Sequence, residues 1–140
     1  MVYDVVMTDT ALFGNISPKR VLVVDDAATV PDAVHVALAH LGHRVEIASD
    51  GAMALKMFQP GKYDLVITDY LMPNLDGVQL AHSLKRQAPA LPILLLSGYT
   101  SSIVAEHPEP LPVDFVLAKP FSMKELQQAL AVLFPTDSPA

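Results

Sequence analysis

Short, unbroken apolar runs alternate along the chain with segments in which apolar residues recur every three or four positions. Val21-Leu22-Val23-Val24 runs straight into Asp25-Asp26, as expected of a strand buried on both faces. Val30, Val34, Leu38 and Leu41 follow at helical spacing, with Thr29 as cap, Pro31 in the first turn and Gly42 as the stop. A second strand is predicted from His43 to Ala48, and Asp50 can cap a short helix running through Phe58. Leu65 to Thr68 is a third buried run, ending at Asp69. Asp76-Gly77 reads as the turn and cap of a helix marked by Leu80, Ala81 and Leu84 and closed before Pro89. Ile93 to Leu96 is a fourth strand, ending at Ser97, and Val113 to Leu117 a fifth, with Lys119-Pro120 two residues on. Ser122 to Glu125 has the spacing of a capping box, and Leu126, Leu130 and Leu133 share one face of the helix it opens.

Five β-α units with short links imply a parallel sheet carrying helices on both faces. In such open sheets ligands bind beyond the carboxyl ends of the strands, where the strand order switches. The polar residues the pattern places there are Asp25, Asp26, Asp69, Ser97 and Lys119. Each alone has a plain structural reading: a capping turn, a loop acid, a turn signal. Four separate strand ends would have to supply the whole set by accident.

Composition narrows the classes. Among 140 residues 51% are apolar, enough for a real core, and nine basic against fifteen acidic residues give a net charge of −6. That balance disfavours nucleic acid and anionic membranes as direct partners. The absence of cysteine excludes disulfides, thiolate zinc sites and cysteine nucleophiles, and suits a cytoplasmic setting. No apolar run approaches the roughly 20 residues of a membrane helix, and the acidic start, with Asp4 and Asp9, does not read as a signal peptide. Residues 1–18 are expected to be an N-terminal extension that can be flexible, 19–134 the folded domain and 135–140 a tail. Neither edge is long enough for an output domain.

Three carboxylates held together repel: at 4 Å and an effective dielectric of 20, each pair costs about 4 kcal/mol. Either one stays protonated or a cation sits among them. An all-oxygen set with room for water suits Mg²⁺, whereas the five histidines show no ligand spacing. A carboxylate can attack phosphorus to give an aspartyl phosphate, and phosphoryl transfer needs chiefly positioning and charge stabilisation. Asp69, alone at its strand end, is best placed as acceptor. Asp25 and Asp26 are then metal-holding, and Lys119 and Ser97 are donors to the phosphoryl oxygens.

Val23-Val24-Asp25-Asp26, the stretch from Asp64 to Gly77 with Asp69 and Met72-Pro73 inside it, Leu96-Ser97-Gly98 and Lys119-Pro120-Phe121 occur in one order and spacing. Over roughly Arg20 to Phe134 the chain resembles bacterial response-regulator receiver (CheY-like) domains. The resemblance implies a flavodoxin-like, doubly wound five-stranded parallel sheet of order 2-1-3-4-5. It also implies that Asp69 accepts a phosphoryl group from a histidine kinase or histidine phosphotransfer protein, in a Mg²⁺-dependent two-component relay. Asp26, Asp69 and the Leu71 carbonyl would hold Mg²⁺ directly and Asp25 through water. Lys119, Ser97 and the Gly98 amide would contact the phosphoryl group, and Lys119-Pro120 would be cis. A stand-alone signalling domain rather than an enzyme with a separate substrate is expected, with an unidentified downstream protein target and homodimerisation open.

Three features depart from that family. Val116 stands three residues before the lysine, where Tyr or Phe is usual, and strand alternation sends Phe115 to the opposite face. Pro108, Pro110 and Pro112 limit a helix after Thr100 to two turns or less. Leu71 and Tyr99 flank the site at positions that tune hydrolysis in the family, which suggests slow dephosphorylation. Two other functions compete: a phosphorylation-independent scaffold, and a Mg²⁺-dependent small-molecule phosphohydrolase, disfavoured by the missing Asp-x-Asp at Asp69-Tyr70-Leu71 and by the lack of a cap domain. Met53 and Met57 are expected to fill core, His35, His40 and His43 to lie on a solvated face or core edge, and Tyr70 to be an exposed loop aromatic.

Overall fold

Runs of branched and aliphatic residues become strands wherever helices can cover both faces of them, and the computed structural model, which describes residues 16–25, 30–98 and 110–135, has that arrangement. Strands β1 (Arg20–Val24), β2 (Arg44–Ala48), β3 (Leu65–Asp69), β4 (Ile93–Ser97) and β5 (Phe115–Ala118) form one parallel sheet in the order β2-β1-β3-β4-β5. The described helices are α1 (Val30–His40), α2 (Gly51–Met57), α3 (Gly77–Gln87) and α4 (Met123–Leu133).

Side-chain alternation divides the core in two. Leu22, Val24, Val66 and Ile93 pack with Phe58 beyond α2 and with Leu80 and Leu84 of α3. Val21, Val23, Ile67 and Leu94 pack on the other face with Leu38 of α1 and Leu126 of α4. Such burial is worth about 1.5–3 kcal/mol for each large side chain, which is why period and burial coincide here.

The helix ends follow local chemistry. Asp50 accepts the Met53 N–H at 2.7 Å to open α2. Asp76 with Gln79, and Ser122 with Glu125, form reciprocal capping boxes on α3 and α4. Helix α1 closes in a Schellman turn: His43 N–H reaches Leu38 O and Gly42 N–H reaches Ala39 O, both at 3.0 Å, with Gly42 at φ +94°. His43 therefore belongs to this turn rather than to β2, which starts one residue later than the sequence predicts. Strand β5 likewise starts at Phe115, not Val113, because Asp114 is spent on an N-terminal clasp. Its Oδ2 accepts from the Ile93 N–H (2.8 Å) and from Lys85 Nζ (2.9 Å).

Two minor expectations are corrected. Met53 is exposed, its sulfur taking contacts from Ser49, whereas Met57 does pack against the core. Tyr70 is not an exposed aromatic: it is buried with Val78 and Leu95. The expected short helix after Thr100, with Pro108, lies outside the described residues.

Candidate functional site

The sheet order reverses between β1 and β3, so the crevice opens at the carboxyl ends of these two strands. Val24 pairs with Thr68, and one step further the ladder releases Asp25 and Asp69 side by side. Asp25 is 3% exposed and its N–H still bonds to Ala48 O at 3.2 Å. Ser97, also buried, ends β4 opposite Ala118 of β5. The next β5 residue, Lys119, donates its N–H to Ser97 O at 2.9 Å. Its side chain then reaches past the end of β4 to β3, and Lys119 Nζ stands 2.7 Å from Asp69 Oδ1. The Lys119-Pro120 bond is cis, as the resemblance implies.

The loop after β3 holds the Asp69 end of the strand firmly. Thr68 Oγ1 donates to Asp69 O at 3.0 Å, Tyr70 N–H to Leu96 O at 2.9 Å, and Gly77 N–H to Tyr70 O at 2.8 Å. Between them Asn74 takes φ +70° while Leu75 N–H reaches Pro73 O at 2.7 Å. That is a tight γ-like turn in a conformation asparagine tolerates better than most residues. It leaves Leu71 58% exposed beside the site and tucks Met72 into the core. Gly98, just past β4, is exposed, and no atom of the described residues lies within 4 Å of where its Cβ would stand.

Of the residues singled out from sequence, Asp25, Asp69, Ser97, Gly98, Leu71 and Lys119 thus lie on this one edge. Asp26 and Tyr99 lie outside the described residues. Among the described residues there is no group of three or more acidic, histidine or cysteine side chains at metal-binding spacing. His43, the buried histidine, sits at the opposite end of the sheet, where its Nδ1 accepts the Lys19 N–H at 3.0 Å.

The donor chemistry fits a hard divalent cation. Among the described residues the edge offers carboxylate oxygens from Asp25 and Asp69, one of them buried, with the Lys119 ammonium on Asp69 Oδ1. Buried carboxylates are normally paired or bound to metal. Asp25 Oδ2 is a buried oxygen with no hydrogen-bond donor among the described residues, although Asp25 has other interactions.

Val116 and Phe115 diverge as alternation predicts. Phe115 joins the α1/α4 side of the core, while Val116 packs against the cluster of Tyr70, Val78 and Leu95. The burial of Tyr70 leaves no trace in the sequence, because a loop position carries no period. Its burial comes from α3 and β4, distant in sequence. Gly77 also went unread as part of the site; the only sequence signal was a glycine where helix-opening chemistry needs none.

The model of the response regulator receiver domain family matches residues 21–131. Response regulator MprA of Mycobacterium sp. (strain KMS) is 36% identical over 124 residues, covering 87% of this chain and 53% of that protein. MprA of Mycobacterium avium (strain 104) is 35% identical over 122 residues, covering 86% and 53%. The chain thus spans about half the length of the curated relatives it matches. Among solved structures, chemotaxis response regulator CheY4 of Vibrio cholerae matches with a TM-score of 0.74 at 29% identity, covering 84% of this chain and 99% of that one. The receiver domain of a Pseudomonas aeruginosa sensor histidine kinase, solved with magnesium coordinated in its active-site cleft, matches at 0.74 and 28%, covering 81% and 95%. TrrA of Thermotoga maritima, in complex with Mg²⁺ and BeF, matches at 0.71 and 31%, covering 82% and 98%. Motif order, sheet order and family match agree: the chain belongs to the response regulator receiver domain family.

Proposed function

We propose that this receiver domain accepts a phosphoryl group on Asp69 from a histidine kinase or histidine phosphotransfer protein, in the cytoplasm, and signals through the resulting change of surface. The carrying observation is the Asp69–Lys119 ion pair at the sheet edge, with buried Asp25 on the adjoining strand. One Asp69 carboxylate oxygen attacks phosphorus, the P–N bond of the donor phosphohistidine breaks, and the imidazole leaves with its electron pair and takes up a proton. Lys119 Nζ follows the growing charge from Asp69 onto a phosphoryl oxygen, and the Ser97 hydroxyl and Gly98 N–H are assigned to the remaining oxygens. Asp25, Asp26, Asp69 and the Leu71 carbonyl would hold Mg²⁺, which supplies charge neutralisation between acids and phosphoryl group.

Residues 19–134 are assigned to the domain, 1–18 to an extension and 135–140 to a tail. Ile16 packing on the core, and Lys19 Nζ lying 4.4 Å over the Phe134 ring, support a close join at both borders. The domain modifies itself and needs no separate substrate, and its downstream partner is a protein. The exposed Leu71 side chain supports slow hydrolysis, since an apolar group there neither orients nor activates water.

The test is incubation with acetyl phosphate and Mg²⁺ followed by intact mass. Wild type should gain one phosphoryl group and Asp69→Asn none. No adduct on wild type, or an equal adduct on both, would overturn the assignment. Turnover of phosphate esters far beyond one equivalent would instead favour a phosphohydrolase.

A further inference from the structure

We propose that Gly77 is a positioning residue for phosphoryl uptake: the first residue of α3 must lack a side chain so that Asp69 can stand where Lys119 meets it. The proposal rests on the reading of Asp69 as acceptor.

Backbone freedom does not explain this glycine. Gly42 and Gly61 have left-handed φ, whereas Gly77 opens a regular helix, a place where alanine would cost nothing conformationally. Space explains it. A Cβ on residue 77 would overlap the Asp69 carbonyl oxygen, fall 2.7 Å from Leu95 Cδ1 and lie 3.1 Å from Tyr70 Cα. Two of these three obstacles are backbone atoms of the acceptor strand end, and backbone cannot swing aside as a side-chain tip does. At Gly51, by contrast, the nearest obstacles all belong to the Leu75 side chain.

Neither partner in the overlap is free to retreat. Helix α3 is held by its capping box (Gln79 N–H to Asp76 Oδ1 at 2.8 Å, Asp76 N–H to Gln79 Oε1 at 2.9 Å) and by the buried Val78, Leu80, Ala81 and Leu84. The Gly77 N–H is itself bonded to Tyr70 O. On the other side, the Asp69 carbonyl carries the Thr68 hydroxyl, and Tyr70 N–H is tied to β4. Any added atom must displace the Asp69–Tyr70 backbone, and the Asp69 carboxylate moves with it. Reactions that depend on alignment lose about 100-fold in rate for a displacement near 1 Å. The helix start and the Thr68 hydroxyl thus act together, setting the height of the acceptor above the sheet edge.

The experiment compares initial rates of phosphoryl incorporation from acetyl phosphate at saturating Mg²⁺. The full chain is used as wild type, Gly77→Ala, Thr68→Val and Leu84→Ala, at a temperature where circular dichroism shows each folded. Leu84→Ala weakens the same helix away from the acceptor. The expected results are a fall of about 100-fold for Gly77→Ala and roughly 10-fold for Thr68→Val, the effect of one lost hydrogen bond. Leu84→Ala should stay within about 3-fold of wild type, a small alignment effect by the same scale. A folded Gly77→Ala at the wild-type rate, or equal slowing by Leu84→Ala, overturns the proposal. If Gly77→Ala does not fold, Thr68→Val decides: a wild-type rate there overturns it. An unmodified wild-type chain sinks the Asp69 assignment and this inference together, whereas a modified wild type beside unimpaired variants sinks the inference alone.

Discussion

Lys119→Met separates ground-state pairing from catalysis at this site. The side chain stays long and apolar, while the charge 2.7 Å from Asp69 Oδ1 disappears. At that distance an effective dielectric of 20 gives a gross attraction of about 6 kcal/mol. The two side chains are 27% and 13% exposed, so desolvation and water offset most of it, and the net effect on stability is about 1 kcal/mol or less. The rate behaves differently. Attraction already present in the resting domain does not lower a barrier; only what strengthens at the transition state does. In the proposed transfer Lys119 would exchange a carboxylate oxygen for a phosphoryl oxygen gathering charge, and removing one such donor costs about 10²–10³-fold. Lys119→Arg restores charge but not the compact ammonium, and should recover only part of the rate. Incorporation from acetyl phosphate, followed by intact mass, reads the rate; urea unfolding reads the stability. A Lys119→Met rate within about 2-fold of wild type, far below the loss expected of a charge donor, would refute the role given to the ion pair.

Other outcomes follow from separate parts of the molecule. His43 is held below the ordinary histidine range by burial first and by the nearby Lys19 charge second. As pH falls below about 6.5, the ordinary histidine value, the unfolded chain binds this proton before the folded one. The His43 contribution is therefore complete above that pH and is lost on acidification. A His43→Asn variant should show a flatter midpoint between neutral and mildly acidic pH, and an identical slope would contradict this. Asp114→Ala removes the acceptor of the Ile93 N–H and the ion-pair partner of Lys85, which keeps only its bond to Leu91 O, and should cost about 1–2 kcal/mol in urea unfolding; an unchanged midpoint would show the clasp to be idle. Leu71→Asn should shorten the lifetime of the phosphorylated protein, and an unaltered lifetime would remove Leu71 as a brake on water.

The position of the candidate site was legible because strands buried on both faces are read as unbroken apolar runs, and the first polar residue after each run marks its carboxyl end. Asp25, Asp69, Ser97 and Lys119 all satisfy that rule. Caps were legible for a similar reason: Asp50, Asp76 and Ser122 act within three residues of themselves. What sequence did not yield depends on elements remote in the chain. Tyr70 is buried by Val78, Leu95 and Val116, which come from α3, β4 and β5. His43 turns inward because the Schellman turn of α1 presents it to Lys19. Gly77 is required by a close approach that appears only once α3 is laid against β3. Val113 promised two more strand residues, but Asp114 found better partners in Ile93 and Lys85.

Peptide mapping of the phosphorylated chain, with the labile acyl phosphate trapped by borohydride reduction, bears most directly on the central claim. The account predicts that the reduced residue is Asp69, that omission of Mg²⁺ abolishes the trapped product, and that Asp69→Asn yields none. A trapped residue anywhere else, or trapping that persists without a divalent cation, would contradict it.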